Sequence, residues 1–300
     1  MKKPASEQAA KGHGRSIEHL ADGAVDEGRY EKGKRHGKWV LRSANGDIEE
    51  GPYVEGKRHG QWVERYASGE VHEGPYVDGQ PHGPWVLRLT DGTVGHGTYV
   101  EGIEPGQWVF RAADGAVFTG PIVEGKQHGQ WVLRHANGDV EEGPFVEGKP
   151  HGHWVLRHAN GEVHQGPMVE GEQHGRWVVR FANGDIHEGP VVEGMPHGQW
   201  VIRPADGSVH KAPMVQGELH GQWIARHKDG DVFKVRFEEG RQRGDPVPQG
   251  GDKAGAKFIN WAAEKPFTFG LALAAILKLG PPVLAVILFL VLAFLLSVCS

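Results

Sequence analysis

The sequence predicts an all-β repeat fold: an elongated single-layer antiparallel β-sheet of tandem 23-residue hairpins, followed by one C-terminal transmembrane helix. Three observations carry this prediction. A tryptophan returns at Trp39, Trp62, Trp85, Trp108, Trp131, Trp154, Trp177, Trp200 and Trp223, every gap being 23 residues. A fixed period in this range marks a repeat array. Each copy also holds two glycine turns between short β-prone runs, and the chain closes on 17 residues, Val283 to Cys299, in which only Ser297 is polar.

Residues 1–12 are small and polar, and read as a disordered tail. A degenerate copy fills 13–35, with Ser16 in the place of tryptophan. Terminal repeats must present a polar outer surface, so this segment reads as an N-terminal cap. Nine copies follow over 36–242. In each, Trp-Val-x-Arg is apolar and β-prone and runs into a turn such as Ala136-Asn137-Gly138-Asp139. Asn-Gly or Asp-Gly between extended runs signals a hairpin, because these residues accept positive φ. The return strand begins two residues after the turn glycine, as at Ile48, Val71, Val140 and Val163. A second turn falls at Glu-Gly-Lys, around Gly56, Gly79, Gly102, Gly125, Gly148, Gly171, Gly194 and Gly217. The charged run Phe237-Glu238-Glu239-Gly240-Arg241 ends the array as a strand with a blunted edge.

One pattern strains the meander. Proline recurs in the return segment at Pro52, Pro75, Pro121, Pro144, Pro167 and Pro190. Proline cannot donate to a ladder, so each return strand is expected to break or bulge there, and a β-solenoid stays open as the alternative. Strand alternation places Trp131 and Leu133 on one face, and Val132 and Arg134 on the other. The tryptophan face is the core candidate. Neighbouring indoles lie one hairpin apart, ~10 Å from two strand spacings, with Tyr53, Tyr76 and Phe145 available to fill the gaps.

The repeat resembles a known family. Glu73-Gly74-Pro75-Tyr76-Val77-Asp78-Gly79-Gln80-Pro81-His82-Gly83 is similar to the Tyr-x-Gly-x-Trp-x-x-Gly-x-x-His-Gly pattern of MORN repeats, and the period, the His-Gly pair and the Ala-Asn-Gly turn also match. The resemblance covers roughly residues 13–245. Tryptophan replaces the glycine usual after His-Gly-x, and proline enters the return strand, so the repeats are a variant. The family implies elongated single-layer sheets that scaffold proteins or bind acidic phospholipids, and that in some members form a homodimer. Junctophilins join such repeats to a C-terminal membrane anchor, and this layout is similar without their long helical spacer.

Residues 243–265 read as a linker and juxtamembrane segment in which Lys257, Phe258, Trp261 and Lys265 suit the headgroup level. Residues 266–278, ending at Lys278, form a short apolar run read as interfacial or re-entrant, with a helical hairpin as the alternative. Residues 279–299 are long enough for a transmembrane helix, given a rise of ~1.5 Å per residue and a hydrocarbon core of ~30 Å. The lysines precede this span, so the positive-inside rule makes the protein single-pass with its repeats facing the cytoplasm, a tail-anchor layout.

Composition narrows the function. The 300 residues carry 33 basic and 38 acidic side chains, a net charge of −5, which leaves no electrostatic footprint for nucleic acid. The single cysteine, Cys299, allows no internal disulfide, and a prenylation box would need it four residues from the end. The histidines that open most copies suggest a metal ladder. Equivalent positions ~10 Å apart cannot share one zinc with its ~2 Å ligand distances. Histidines on the return strand (His72, His164, His187, His210) are expected to approach His135 or His158. Arg42, Arg65, Arg88, Arg111, Arg134, Arg157, Arg180, Arg203 and Arg226 form the candidate ligand-binding row, able to meet phosphates or an acidic partner bidentately. The competing expectation is cross-strand pairing, with Glu49 and Glu141 opposite Arg42 and Arg134. Nothing outside the repeat forms a catalytic cluster, so no enzyme and no cofactor is expected. The function expected is a membrane-anchored scaffold or tether binding an unidentified protein, the alternative being that the Arg face docks on anionic phospholipid of a second membrane.

Overall fold

A computed structural model describes residues 13–102 and 106–249. These contain 28 strands, every reported pairing is antiparallel, and no helix is present among the described residues. None is therefore long and apolar enough to cross a membrane there. The chain divides into two compact units at His128/Gly129, one residue into a copy. Each unit is an antiparallel meander, so the solenoid alternative is set aside for the described repeats.

One copy in the second unit shows how the sequence builds the hairpin. The outgoing strand Gly129–Arg134 pairs along its whole length with the return strand Val140–Val146, from Gly129↔Phe145 to Arg134↔Val140. The connecting turn is closed by His135 N–H donating to the Asp139 carbonyl, 2.9 Å, and Gly138 N–H to the His135 carbonyl, 3.0 Å. Only Gly138 takes a positive φ there, 91°. Asn137 instead accepts the Asp139 N–H on its side-chain oxygen, 3.0 Å. The hairpin expected at Ala-Asn-Gly is present, with a three-residue loop rather than a two-residue one. The two-residue turn with paired positive φ falls at Glu147-Gly148, 51° and 80°. Here glutamate accepts the left-handed region, because its neighbours are tied into Val146↔Lys149.

The proline puzzle resolves in the register. The return strand does not break: Pro144 pairs with Gln130 within an uninterrupted Val140–Val146. On its other edge the ladder to the next copy stops at Glu142↔Val155 and resumes only as Phe145↔Pro150 in the short strand Lys149–Pro150. Four residues, 151–154, thus face two, 143–144. The bulge lies in the incoming chain, at His151-Gly152, with Gly152 at φ 81°. Proline sits where no ladder N–H is called for. Its carbonyl is used twice, accepting the His151 backbone N–H at 2.9 Å and the Trp154 indole N–H at 3.1 Å.

The indole's position also explains the glycine before proline. Trp154 lies on Gly143, Trp177 on Gly166 and Trp200 on Gly189, so that a Cβ on any of these glycines would enter the ring. The core is therefore an alternation of indole and spacer along the face expected. In the first unit Trp39, Tyr53, Trp62, Tyr76, Trp85, Tyr99 and Trp108 form a run of edge-to-face contacts with centroids 5.2–6.0 Å apart. In the second, Phe145 fills the spacer position between Trp131 and Trp154, and Met168, Val191 and Met214 fill it in later copies. All nine repeat tryptophans are buried.

The cap and the array's end differ from expectation in detail. The cap is itself a hairpin, Gly14–His19 against Val25–Glu31, with Ser16 buried opposite Gly28. At the other end Glu239-Gly240 is a turn, and the last strand is Arg241–Gln249, paired back on Val232–Glu238. The stretch 243–249, assigned to the linker from sequence, is part of this strand, because its register with Val232 to Lys234 continues the ladder. The tail 1–12, the rest of the linker, the interfacial run 266–278, the helix at 279–299 and the headgroup residues Lys257, Phe258, Trp261, Lys265 and Lys278 lie outside the described residues.

Candidate interaction surface

The outward face of each copy carries Gln130, Val132 and Arg134 from the outgoing strand, and Val140, Glu142, Pro144 and Val146 from the return strand, or their equivalents. All nine row arginines are exposed on it. Their expected partners were misplaced by one residue of register. Arg42 faces Ile48 and Arg134 faces Val140, while Glu49 and Glu141 point to the tryptophan face opposite Leu41 and Leu133. The arginines pair instead with the return strand of the preceding copy. Arg65 reaches Glu50 at 3.8 Å and Arg88 reaches Glu73 at 3.9 Å, and Arg157 binds Glu142 as Arg203 binds Glu188. Hydrogen bonds from Arg176 and then Arg203 hold the Glu188 carboxyl below the usual glutamate range. The acid position is not constant: His96 precedes Arg111, Gln165 precedes Arg180 and Lys211 precedes Arg226, and among the described residues none of these arginines has an ion pair. The row is thus a broken series of exposed pairs, each contributing ~0–1 kcal/mol.

A second feature of this face was not anticipated. In eight of the nine copies a half-exposed valine stands at the end of the return strand, Val100 falling one residue beyond its strand. Val54, Val77, Val100 and Val123 in the first unit are 41–47% exposed, and Val146, Val169, Val192 and Val215 in the second are 40–43% exposed. Each stands beside the proline of its own strand two residues earlier, except where Thr98 replaces it. The signal was present as a Val recurring just before the second turn in eight of the nine copies, but sequence alone does not say which valines the next copy hides.

The tryptophan face of the first copies holds a charged network that the repeat pattern also concealed. Arg58 lies 4.4 Å over the Trp62 ring, bonds Glu49, and donates to Glu64 at 3.1 Å. Glu64 is buried and also accepts from the Tyr76 hydroxyl at 2.7 Å and the Tyr66 hydroxyl at 3.1 Å. Burial pushes its carboxyl up, with Glu49 adding to the rise and Arg58 opposing it. Arg35 repeats the motif, 4.5 Å over Trp39 and 2.6 Å from Asp26. The clue was Arg35 and Arg58 at a position that later holds Pro81, Gln127 and Pro150, and Glu64 where other copies have Leu41, Leu87 or Leu133. The arrangement is a structural knot of ion pairs and hydrogen bonds.

The return-strand histidines behave as core. His164 meets His158 with ring centroids 4.7 Å apart, as expected, whereas His72 packs on Tyr66 and His187 on Phe181. His135 contacts Glu141 at 3.0 Å. Burial pushes His72, His164 and His210 down to about 4. Among the described residues no group of three His, Cys, Asp or Glu side chains could hold a metal ion.

Fold and surface together define an all-β tandem-hairpin repeat protein with a repeated, partly apolar outward face. No family model and no curated protein matches the chain. Among solved structures, it is similar to the SAS-4 (dCPAP) TCP domain in complex with a proline-rich motif of Ana2 (dSTIL) of Drosophila melanogaster, at 11% identity and a TM-score of 0.29, covering 70% of this chain and 92% of that one. A streptogramin B lyase structure aligns at 14% identity and a TM-score of 0.16 over 78% of each chain. Neither likeness is strong enough to carry function.

Proposed function

We propose that this protein is a membrane-anchored, MORN-like repeat scaffold whose outward face recruits a protein partner on the cytoplasmic side. The valine that stands at or just after the end of the return strand in eight of the nine copies carries the reading. An apolar side chain left 40–47% exposed at one position in eight copies is a repeated docking element, while isolated exposed valines would be ordinary. Flanking arginines and glutamates supply the polar rim that protein interfaces use. The membrane half of the reading rests on the apolar run Val283 to Cys299 and the lysines before it. The anionic-lipid alternative needs a continuous cationic row. Ion pairs at Arg65, Arg88, Arg157 and Arg203 weigh against it.

Proximity labelling from the full chain in cells tests the partner reading. Exchanging Val146, Val169 and Val192 for Asp is expected to remove specific labelled proteins while circular dichroism stays unchanged. Labelling that is identical in the variant overturns the assignment of this face. Retention of the chain in the membrane pellet after alkaline carbonate extraction is the expected result for the anchor, and release into the supernatant refutes it.

A further inference from the structure

Four copies close their first turn on Asn-Gly: Asn45-Gly46, Asn137-Gly138, Asn160-Gly161 and Asn183-Gly184. All four asparagines are exposed. Glycine has no side chain to shield its backbone nitrogen, and that nitrogen can attack the carboxamide carbon of the asparagine before it. The attack forms a bond from the glycine nitrogen to Cγ and breaks the Cγ–Nδ2 bond. The backbone proton leaves with Nδ2 as ammonia, and a cyclic imide remains. Water then opens the imide at either carbonyl, giving aspartate or isoaspartate.

Most of what guards against this reaction is common to the four turns. Gly46, Gly138, Gly161 and Gly184 donate their N–H to the carbonyls of Ser43, His135, His158 and Phe181 at 2.9–3.0 Å. Each asparagine Oδ1 accepts the N–H of Asp47, Asp139, Glu162 or Asp185 at 2.9–3.1 Å. The carboxamide nitrogen is where they differ. Asn45, Asn137 and Asn183 donate Nδ2 to the carboxylates of Asp47, Asp139 and Asp185 at 2.8, 3.0 and 2.9 Å. Asn160 is followed by Glu162, whose longer side chain carries its carboxylate toward His164, 4.0 Å from Nε2. Among the described residues Asn160 Nδ2 has no hydrogen bond. Asp139 does hold the Ala159 N–H at 2.8 Å, but that tie precedes Asn160 and leaves its side chain free to turn.

The missing bond acts twice. A carboxamide held at both ends must break two bonds to turn toward the glycine nitrogen, and Asn160 breaks one. A carboxylate at hydrogen-bond distance also opposes the negative charge that develops on the attacked carboxamide. The products differ in the same sense. Where two aspartates share a turn, at Asp229 and Asp231, the bond from the Asp231 N–H to the Asp229 side chain is stretched to 3.3 Å. Where the second residue is Thr93, Ala116 or Ser208, the same bond to Asp91, Asp114 or Asp206 is 2.8–2.9 Å. An aspartate at this place is thus accommodated unless a second aspartate faces it. We infer that Asn160 is a modification site, the turn at which the folded chain deamidates selectively, with water as the only other reactant. Either product adds a negative charge to that turn, and the isoaspartyl product also lengthens its backbone.

The test incubates the full chain, folded or unfolded in urea, at neutral pH and follows amide-to-acid conversion by peptide mass spectrometry. Cleavage after Arg42, Arg134, Arg157 and Arg180 puts the four asparagines on separate peptides. In the folded chain Asn160 should convert about fivefold faster than Asn45, Asn137 or Asn183, the factor corresponding to one side-chain hydrogen bond. In the unfolded chain the four should convert at similar rates, because each is preceded by alanine and followed by glycine and an acid. Glu162→Asp supplies the missing carboxylate and should slow Asn160 to the rate of the others in the folded chain. That variant copies the turns at Asp139 and Asp185 and should fold, which circular dichroism checks. Equal rates at the four sites of the folded chain, no conversion at Asn160 while the unfolded chain reacts, the same preference in the unfolded chain, or an Asn160 rate untouched by Glu162→Asp would each overturn the assignment.

Discussion

Gly166→Ala probes the contact on which the fold depends. An ideal Cβ at Gly166 would sit 2.5 Å from Cδ2 and Cγ of Trp177 and 2.7 Å from Cδ1. Ordinary carbon contacts are ~3.5–4.0 Å, so the methyl overlaps the ring by about 1 Å. Either the return strand or the indole must move. Moving the indole stretches its N–H bond to the Pro167 carbonyl, now 3.0 Å, in a site where Trp177 is 1% exposed. Overpacking costs ~1–3 kcal/mol, and an unsatisfied buried donor another ~1–3 kcal/mol. Relief of glycine's backbone entropy returns ~0.5–1 kcal/mol. The net loss should be ~2–4 kcal/mol, concentrated in the copies sharing that contact. Hydrogen exchange of the full chain should show reduced protection at Trp177 to Arg180, together with a lower thermal midpoint. Ala212 is an internal reference, since alanine already occupies the equivalent place beneath Trp223. There the packing has accommodated a methyl, and Ala212→Gly should change stability by less than ~1 kcal/mol. Unchanged protection and midpoint in Gly166→Ala would refute the argument that the glycine is required by the indole.

Four further outcomes are expected. The buried His72, His164 and His210 titrate near 4 when folded, while an unfolded histidine titrates near 6.5. The unfolded chain therefore binds more protons between these values. Stability is complete above about pH 6.5 and lost on acidification toward pH 4, by ~2 kcal/mol per histidine at pH 5. Thermal melts at pH 7 and pH 5 check this, and His164→Phe should flatten the dependence. Arg58→Ala strands the buried Glu64 carboxylate and should cost ~3–5 kcal/mol, whereas Arg157→Ala breaks only an exposed pair and should cost less than ~1 kcal/mol in the same denaturant titration. Asp139→Ala removes the acceptor for Ala159 N–H at 2.8 Å, a tie between successive turns, and should lower stability by ~0.5–1.5 kcal/mol with faster exchange at Ala159. Pro144→Ala should change stability by less than ~1 kcal/mol in the same denaturant titration, because the carbonyl that receives His151 and Trp154 survives the substitution.

The period, the hairpins, both turn sites and the buried face could be read from residues because each depends on local spacing. Trp131 and Leu133 alternate with Val132 and Arg134 whatever the neighbouring copy does. What failed was inter-copy register. The bulge at His151-Gly152 adds two residues to the incoming chain, and no local signal shows that the extra residues belong there and not to the proline-bearing strand. The acid partners of the arginines were missed through register within the hairpin as well: Arg42 and Arg134 face Ile48 and Val140, which turns Glu49 and Glu141 to the tryptophan face, and the carboxylates that do bind row arginines, Glu50 and Glu142, act across copies. The Arg58–Glu64 network was hidden for a different reason. Averaging over nine copies isolates the repeat, and these residues depart from it.

The contacts, taken in order, give the array a direction. Trp39 lies on Gly28 and donates to the Arg29 carbonyl, Trp62 on Gly51 and Pro52, and Trp177 on Gly166 and Pro167. In every one of these pairs the indole belongs to the later copy and its seat to the earlier one. A first copy consequently needs a seat and no indole, which is what the cap contains: Gly28 and Arg29 are in place, while Ser16 stands where tryptophan would have nothing to lie on. A last copy needs the reverse. Trp223 is present, but the return strand after it carries Val235 and Arg236 where glycine and proline stood, and Pro246 falls where the next tryptophan would be. Glycine is required only beneath an indole, so strand propensity can favour valine once that indole is gone. Capping in this protein is therefore specified by which half of one contact each end omits, and grafting Gly-Pro onto positions 235–236 without a following tryptophan should weaken the terminal hairpin instead of extending the array.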